Sequence, residues 1–187
     1  MNKIETDILI IGAGKLSKEI LNYLKHVSPQ LENISYYARN RRADTFEIEA
    51  EKIGIKTNYC KQLKLDKYDT IIMATNTSEC LVTEANIDSV QNGAIIASLC
   101  TTSLTGEIEG KIYSRDDVNT LFDYDLTRTF TPDMRAADKA GYLDKVMLLH
   151  EIMSGSIPAN MMMQKNILRI TGTPMQNIAV LDMLRAS

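Results

Sequence analysis

Cysteine is scarce and unpatterned in this chain: Cys60, Cys80 and Cys100 are the three thiols in 187 residues. Their number is odd, their spacing is wide and no C-x-x-C occurs, which argues against a disulfide framework and against a zinc site. Buried thiols are the plainer reading, and no metal centre is expected. No apolar run approaches the roughly 20 residues that a membrane-spanning helix needs. Basic residues are not in excess either. The 24 acidic and 21 basic side chains leave a net charge of −3, so neither a nucleic-acid partner nor an anionic membrane is indicated. Internal repeats, low-complexity tracts and linkers rich in Gly, Pro or Ser are also missing. The leader Met1 to Thr6 is too short and polar for a signal peptide. The expectation is a cytoplasmic protein whose residues 1–187 form one domain, long enough for a single sizeable core.

Behind that leader, Asp7-Ile8-Leu9-Ile10-Ile11 runs into Gly12-Ala13-Gly14-Lys15-Leu16-Ser17. An apolar strand thus ends in a glycine turn that opens a helix. In such a unit the first glycine permits the tight turn and the second lets the backbone approach a pyrophosphate, whose charge the N–H groups at the helix start favour. Ser17 stands where a third glycine or alanine is usual. Leu16, Ile20, Leu21 and Leu24 fall on one helical face, with Lys18, Glu19 and Lys25 off it. A chance glycine turn in another kind of α/β domain is the alternative.

Further along, strands are expected at Ile34 to Tyr37, Ile55 to Tyr59, Tyr68 to Ala74, Ala94 to Leu99, Thr120 to Phe122 and Asn166 to Ile170. Helices are expected at Ala43 to Ile53, closed by Gly54, and at Pro132 to Met153, with Gly141 as a possible break. A closing helix, Pro174 to Arg185, follows the Thr173-Pro174 cap signal. Strands alternating with helical segments predict an α/β fold: a Rossmann-type, doubly wound, mostly parallel sheet of about six or seven strands.

The second strand ends Ala38-Arg39-Asn40-Arg41-Arg42. Domains of this kind that take NAD usually place an acidic residue there for the adenosine ribose hydroxyls. Guanidinium groups bind a 2′-phosphate instead, through charge-assisted and often bidentate hydrogen bonds. This favours NADP(H) over NAD(H); the alternative is a solvated basic loop. The expected cofactor-binding set is Gly12, Gly14, Lys15, Leu16 and Ser17, then Arg39, Asn40, Arg41 and Arg42. Ala74, Thr75, Asn76 and Thr77 at the end of the fourth strand and Leu99 at the end of the fifth join it.

The last forty residues, with Asn166-Ile167-Leu168-Arg169-Ile170-Thr171-Gly172-Thr173-Pro174-Met175-Gln176-Asn177, resemble the ornithine cyclodeaminase/mu-crystallin family. The resemblance runs from Ile8 to Leu184, through Ile10 to Lys15, the Asp69 to Thr75 strand and the Gly93 to Ala97 strand. It implies a nicotinamide cofactor, adds Thr171 and Gly172 to the expected cofactor contacts, and implies an oxidoreductase acting on an amino acid, an imino acid or a cyclic imine. The opening segments also resemble the cofactor domains of glutamyl-tRNA reductase and shikimate dehydrogenase, which the closing segment fits less well. Two departures stand out. The family's N-terminal domain, which supplies substrate-binding Lys and Arg residues and the subunit interface, has no counterpart here. Where the cyclodeaminases place an acidic residue after the fifth strand, this sequence has Leu99-Cys100-Thr101-Thr102, and Glu107 aligns with a structural glutamate.

Whether the chain is itself catalytic is therefore open at this stage. Asp123, at a predicted strand end, and Cys100, near the predicted nicotinamide, are the candidate catalytic residues. Asp116, Asp117 and Asp125 read better as caps or solvated loops, and His26 and His150 as packing or surface histidines. One half of a split enzyme and a non-catalytic cofactor-binding or regulatory subunit are both compatible with these residues. Met161-Met162-Met163 and the nearly all-round apolar closing helix suggest a docking surface. They imply a homodimer or a complex with a protein that supplies the substrate domain.

Overall fold

Ile8–Ile11 forms the first strand, β1, and none of its four side chains is more than 9% exposed. Successive strand residues point to opposite faces, so a run that is apolar throughout needs cover on both. Leu9 and Ile11 enter one core with Ile71, Met73, Ile87, Ile112 and Met134, while Ile8 and Ile10 enter a second with Leu21, Ile34, Tyr36 and Phe46. This division is the doubly wound architecture read from a single strand. A computed structural model describes residues 7–39, 43–99, 106–123, 131–142, 146–154 and 159–170.

Along these residues β1 is followed by α1 (Lys15–Val27), β2 (Asn33–Tyr37), α2 (Ala43–Lys52), β3 (Lys56–Tyr59), β4 (Thr70–Met73) and β5 (Ile95–Ser98). Next come β6 (Val118–Phe122), α3 (Pro132–Lys139), β7 (Met147–Leu148), α4 (Leu149–Ser154) and β8 (Lys165–Arg169). The strands make one eight-stranded sheet in the order β3-β2-β1-β4-β5-β8-β6-β7, and every pairing is parallel. Helices α1 and α2 cover one face through Leu21, Phe46 and Ala50. Helix α3 and the 3-10 segments Ile87–Ser89 and Gly110–Ser114 cover the other.

The expected six or seven strands are therefore eight, and the helix expected over Pro132 to Met153 is two helices with a strand between them. Helix α3 stops because Gly141, at φ +73, closes it. Tyr142 N–H donates to Ala137 C=O at 2.9 Å and Gly141 N–H to Asp138 C=O at 3.0 Å, the paired bonds of a Schellman ending. The chain then lays Met147 and Leu148 beside Leu121 and Phe122 at the sheet edge. A strand of two residues has no period to read, and its apolar pair looks like a helical stripe in sequence. The closing helix expected from 174 to 185 lies outside the described residues.

Two close contacts set the geometry at opposite ends of the sheet. At the carboxyl end Gly12 has φ +114, and a Cβ on it would lie 2.3 Å from the Ala74 carbonyl oxygen just past β4. At the amino end Asp117 accepts from Arg115 Nε at 2.8 Å and Nη2 at 3.0 Å, and from Lys165 Nζ at 2.7 Å. Lys165, the first residue of β8, is buried, and Asp117 is its partner across the β6 start. The two cations hold the Asp117 carboxyl well below the usual carboxylate range, the hydrogen bond from Arg115 contributing most.

Two outcomes follow. Gly12→Ala meets both a left-handed backbone and a carbonyl, and is expected to lower unfolding stability by about 3 kcal/mol in denaturant titration. Asp117→Asn leaves the Lys165 ammonium buried beside a neutral amide and is expected to cost about 1–2 kcal/mol, because Asp117 itself is partly solvated. Since the folded-state pKa of Asp117 is depressed, its contribution is present at neutral pH. It is lost as pH falls from about 4, the unfolded value, through the lower folded value. Stability measured against pH should fall less steeply below pH 4 in the variant than in the native chain.

Candidate functional site

Parallel strands put all their carboxyl ends on one edge, and β1 lies between β2 and β4, where successive connections leave in opposite directions. In open α/β sheets the crevice at such a switch point is where ligands bind. Here it holds a cavity of about 420 Å³. Ile11 to Leu16 make its base, Tyr37, Ala38 and Arg39 one wall, and Ala74 to Thr77 with Glu79 and Leu81 the other. The turn is closed on both sides by backbone bonds: Gly12 N–H donates to Tyr37 C=O at 2.8 Å and Ala74 N–H to Ile11 C=O at 2.9 Å.

The base of the cavity carries the features of an anion seat. Gly14 precedes α1 as its N-cap with no side-chain hydrogen bond, and the first turn of the helix holds no acidic residue. A Cβ added to Gly14 would meet no atom of the described residues within 4 Å, unlike one on Gly12. The first glycine is thus needed by the fold and the second leaves the cavity open above the helix N-terminus. Exposed N–H groups there attract negative charge, and Lys15 at the first helical position adds to it. Ser17 is fully buried behind the turn, and its hydroxyl has no hydrogen-bond partner among the described residues. These residues fit a dinucleotide pyrophosphate.

The far wall is held by one buried carboxylate. Glu107, fully buried, accepts through Oε1 from the Thr75 N–H at 3.1 Å and from the Thr75 hydroxyl, and through Oε2 from the Ser98 hydroxyl at 2.7 Å. Its backbone carbonyl accepts from Leu81 N–H at 2.7 Å and Val82 N–H at 3.1 Å. The lining segment from Thr75 to Leu81 is therefore pinned at both ends by a single residue. Because Thr75 spends both its donors on Glu107, its hydroxyl can offer the cavity only acceptor lone pairs.

Ser98 passes the connection onward. Its hydroxyl accepts from Arg169 Nη1, and Arg169 Nη2 lies 3.4 Å from Asp133 Oδ1. Asp133 Oδ2 accepts from the Tyr113 hydroxyl at 2.7 Å. Arg169 and Asp133 are both at most 2% exposed. Burial and then the Asp133 charge push the Tyr113 phenol well above its ordinary pKa, so it stays a neutral donor. A hydrogen-bonded chain thus ties β4, β5, β8 and α3 together below the carboxyl edge.

Of the residues expected from sequence, Gly12, Gly14, Lys15, Leu16, Arg39, Ala74, Thr75, Asn76 and Thr77 line the cavity. Ser17 lies behind the turn, and Leu99 packs half-buried against the α1/α2 core. Asn40, Arg41, Arg42, Cys100, Thr171 and Gly172 lie outside the described residues. Asp123 is buried at the end of β6, where its N–H donates to Arg169 C=O at 3.1 Å; β5 and β8 separate it from β4 and the cavity. His26 and His150 are exposed. Cys60 and Cys80 are free and only half-buried, a shallower placement than expected. Sequence reasoning missed Ile11, Ala13, Tyr37, Ala38, Glu79 and Leu81 as lining residues. The first four flank the glycine turn and the Arg39 end of β2 and were inferable; Leu81 is placed by Glu107, for which no local pattern exists, and Glu79 lies between it and Thr77, whose hydroxyl accepts from the Glu79 N–H.

Among the described residues no cluster of His, Cys, Asp and Glu is arranged to hold a metal, and no helix is long and apolar enough to cross a membrane. No curated protein matches the chain by sequence. Among solved structures, the chain is similar to a probable ornithine cyclodeaminase from Bordetella pertussis Tohama I, with 17% identity and TM-score 0.74 over 96% of this chain and 58% of that one. It is similar to the iminosuccinate reductase of Paracoccus denitrificans, in complex with NAD+, at 19% identity and TM-score 0.73 over 96% and 56%. It is also similar to Thermococcus litoralis Δ1-pyrroline-2-carboxylate reductase, in complex with NADH and L-proline, at 20% identity and TM-score 0.69 over 92% and 55%. The chain spans little more than half the length of these proteins, and at such identities the likeness is one of fold. By sequence, residues 2–101, from the leader through β5, match the family described as shikimate / quinate 5-dehydrogenase. That segment exceeds half of the 187 residues, and the protein belongs to the shikimate / quinate 5-dehydrogenase family.

Proposed function

We propose that this protein is a cytoplasmic, single-domain binder of a nicotinamide dinucleotide, preferring NADP(H) to NAD(H), and that it serves an ornithine cyclodeaminase-like oxidoreductase acting on an amino acid, an imino acid or a cyclic imine. The observation that carries this reading is the open space over Gly14 at the uncapped start of α1, in a cavity at the switch point of the sheet. Gly14, Lys15 and the α1 N–H groups would hold the pyrophosphate. Arg39, with Asn40, Arg41 and Arg42 beside it in sequence, would hold the adenosine 2′-phosphate. Ala74, Thr75, Asn76 and Thr77 complete the cleft. The dinucleotide supplies hydride transfer; the protein's part is to orient it and exclude water. A homodimer, or a complex with a protein that supplies a substrate half, belongs to the same proposal.

A second reading is a cofactor-binding module without chemistry of its own, such as a regulatory subunit or an NADP(H) sensor. It is favoured by the state of two buried carboxylates on this side of the sheet. Glu107 and Asp133 are already engaged by Thr75, Ser98, Tyr113 and Arg169, so neither is placed to move a substrate proton.

Titration of the chain with reduced nucleotides, followed by dihydronicotinamide fluorescence, is expected to show NADPH binding about tenfold tighter than NADH. The preference should shrink in Arg39→Ala combined with Arg41→Ala; equal affinities in the native chain would remove the NADP(H) assignment. Gly14→Val should keep the fold, since a Cβ there meets no atom of the described residues within 4 Å, yet bind neither nucleotide. Nucleotide binding retained by a folded Gly14→Val chain would place the ligand elsewhere. The isolated chain is expected to show no conversion of ornithine to proline, because acid/base groups contribute about 10²–10⁴-fold each and the cyclodeaminase carboxylate after β5 is missing.

A further inference from the structure

We propose that Glu79 is a specificity-determining residue of this cleft, acting at the adenosine ribose in opposition to Arg39. The inference rests on the dinucleotide reading above and refines it. Arg39 leaves the end of β2, and Glu79 comes from the opposite wall, beyond β4. Their side chains meet across the mouth of the cavity, with Arg39 Nη1 3.8 Å from Glu79 Oε1. Both are largely in water, at 64% and 70% exposed, so neither is part of the core.

The Glu79 backbone is nonetheless fixed. Its N–H donates to the hydroxyl of buried Thr77 at 3.1 Å, and two residues on, Leu81 N–H donates to Glu107 C=O. A pinned backbone with a solvated side chain keeps the carboxylate at the mouth while leaving it free to swing.

The acidic residue usual at the end of β2 is an arginine here, and Glu79 brings a carboxylate to the same mouth from the loop beyond β4. A carboxylate accepts hydrogen bonds from ribose hydroxyls and repels a phosphate carrying about −1.5 to −2 charges. For an unphosphorylated ribose, Glu79 does what the missing β2 acid would do. For a 2′-phosphate, Arg39 must turn from Glu79 to the ligand while the carboxylate moves away. The solvated ion pair itself is weak, so breaking it is a minor cost. Repulsion between carboxylate and phosphate is the larger effect, worth about three- to tenfold in affinity across a few ångströms of water and more at low salt. Glu79 thus holds the preference for NADP(H) below the level that Arg39 and its neighbours would otherwise set.

The test is Glu79→Gln in the full chain, titrated with NADPH and with NADH by dihydronicotinamide fluorescence, and with adenosine 2′,5′-bisphosphate by displacement. NADPH and the bisphosphate are expected to bind about three- to tenfold tighter than to the native chain, with a larger gain at low ionic strength, and NADH equally or more weakly. In an Arg39→Ala background the gain for NADPH should persist, since the repulsion does not depend on the ion pair. An unchanged ratio of the two affinities in a folded Glu79→Gln chain overturns the role of Glu79 and leaves dinucleotide binding standing. Failure of the native chain to bind either nucleotide overturns the dinucleotide reading and this inference with it.

Discussion

The approach of Gly12 to the Ala74 carbonyl is the constraint on which the rest of the cleft depends. A glycine with φ +114 lets the chain turn from β1 into α1 directly under the end of β4, at a separation that no side chain survives. That turn aims the N-terminus of α1 into the gap between β2 and β4. It also brings Ala74 back to Ile11 by a 2.9 Å backbone bond, so the two walls of the cavity start from a shared, rigid base. Gly12 is needed by the fold, whereas a Cβ on Gly14 would meet no atom of the described residues within 4 Å, and that contrast is what the proposed pyrophosphate seat rests on.

Around that base the charges are sorted by depth. Glu107, Asp133 and Arg169 are buried and act as scaffold: one carboxylate pins the Thr75 to Leu81 wall, and the other joins Tyr113 and Arg169 beneath the carboxyl edge. Breaking such a set leaves a buried charge alone, which costs far more than the set contributes when complete. Arg39 and Glu79 sit at the mouth in solvent, where a charge can change partners at little cost. The residues free to respond to a ligand are therefore the exposed ones, and the buried ones keep the wall in place while they do.

Most of the sheet was legible because its signals are local. The run Ile8 to Ile11 before Gly12, the Tyr68 to Ala74 strand and the Ala94 to Leu99 strand each carry their own cue, and the strands that were expected begin and end within two residues of the observed ones. Strand β7 was not legible, since two residues carry no periodicity and their pairing with Leu121 and Phe122 is made at the far edge of the sheet. The cleft divided in the same way. Its glycine turn and the Arg39 end of β2 follow from strand–turn–helix chemistry, whereas Glu79 is held between the nearby Thr77 hydroxyl and Leu81, which Glu107, remote in sequence, fixes. The two resemblances also separated. The sequence match falls on the shikimate / quinate 5-dehydrogenase family over residues 2–101, and the fold likeness to an ornithine cyclodeaminase covers 96% of the chain.

Amide chemical-shift mapping of the isotope-labelled chain with ADP-ribose, which carries the pyrophosphate and adenosine but no nicotinamide, tests the central claim most directly. The account predicts that the perturbed amides cluster at Gly12 to Leu16, at Ala38 and Arg39, and at Thr75 to Glu79, around the single turn that Gly12 makes possible. Perturbations absent from Gly14 and Lys15, or gathered on the amino edge of the sheet around Asp117 and Lys165, would contradict it.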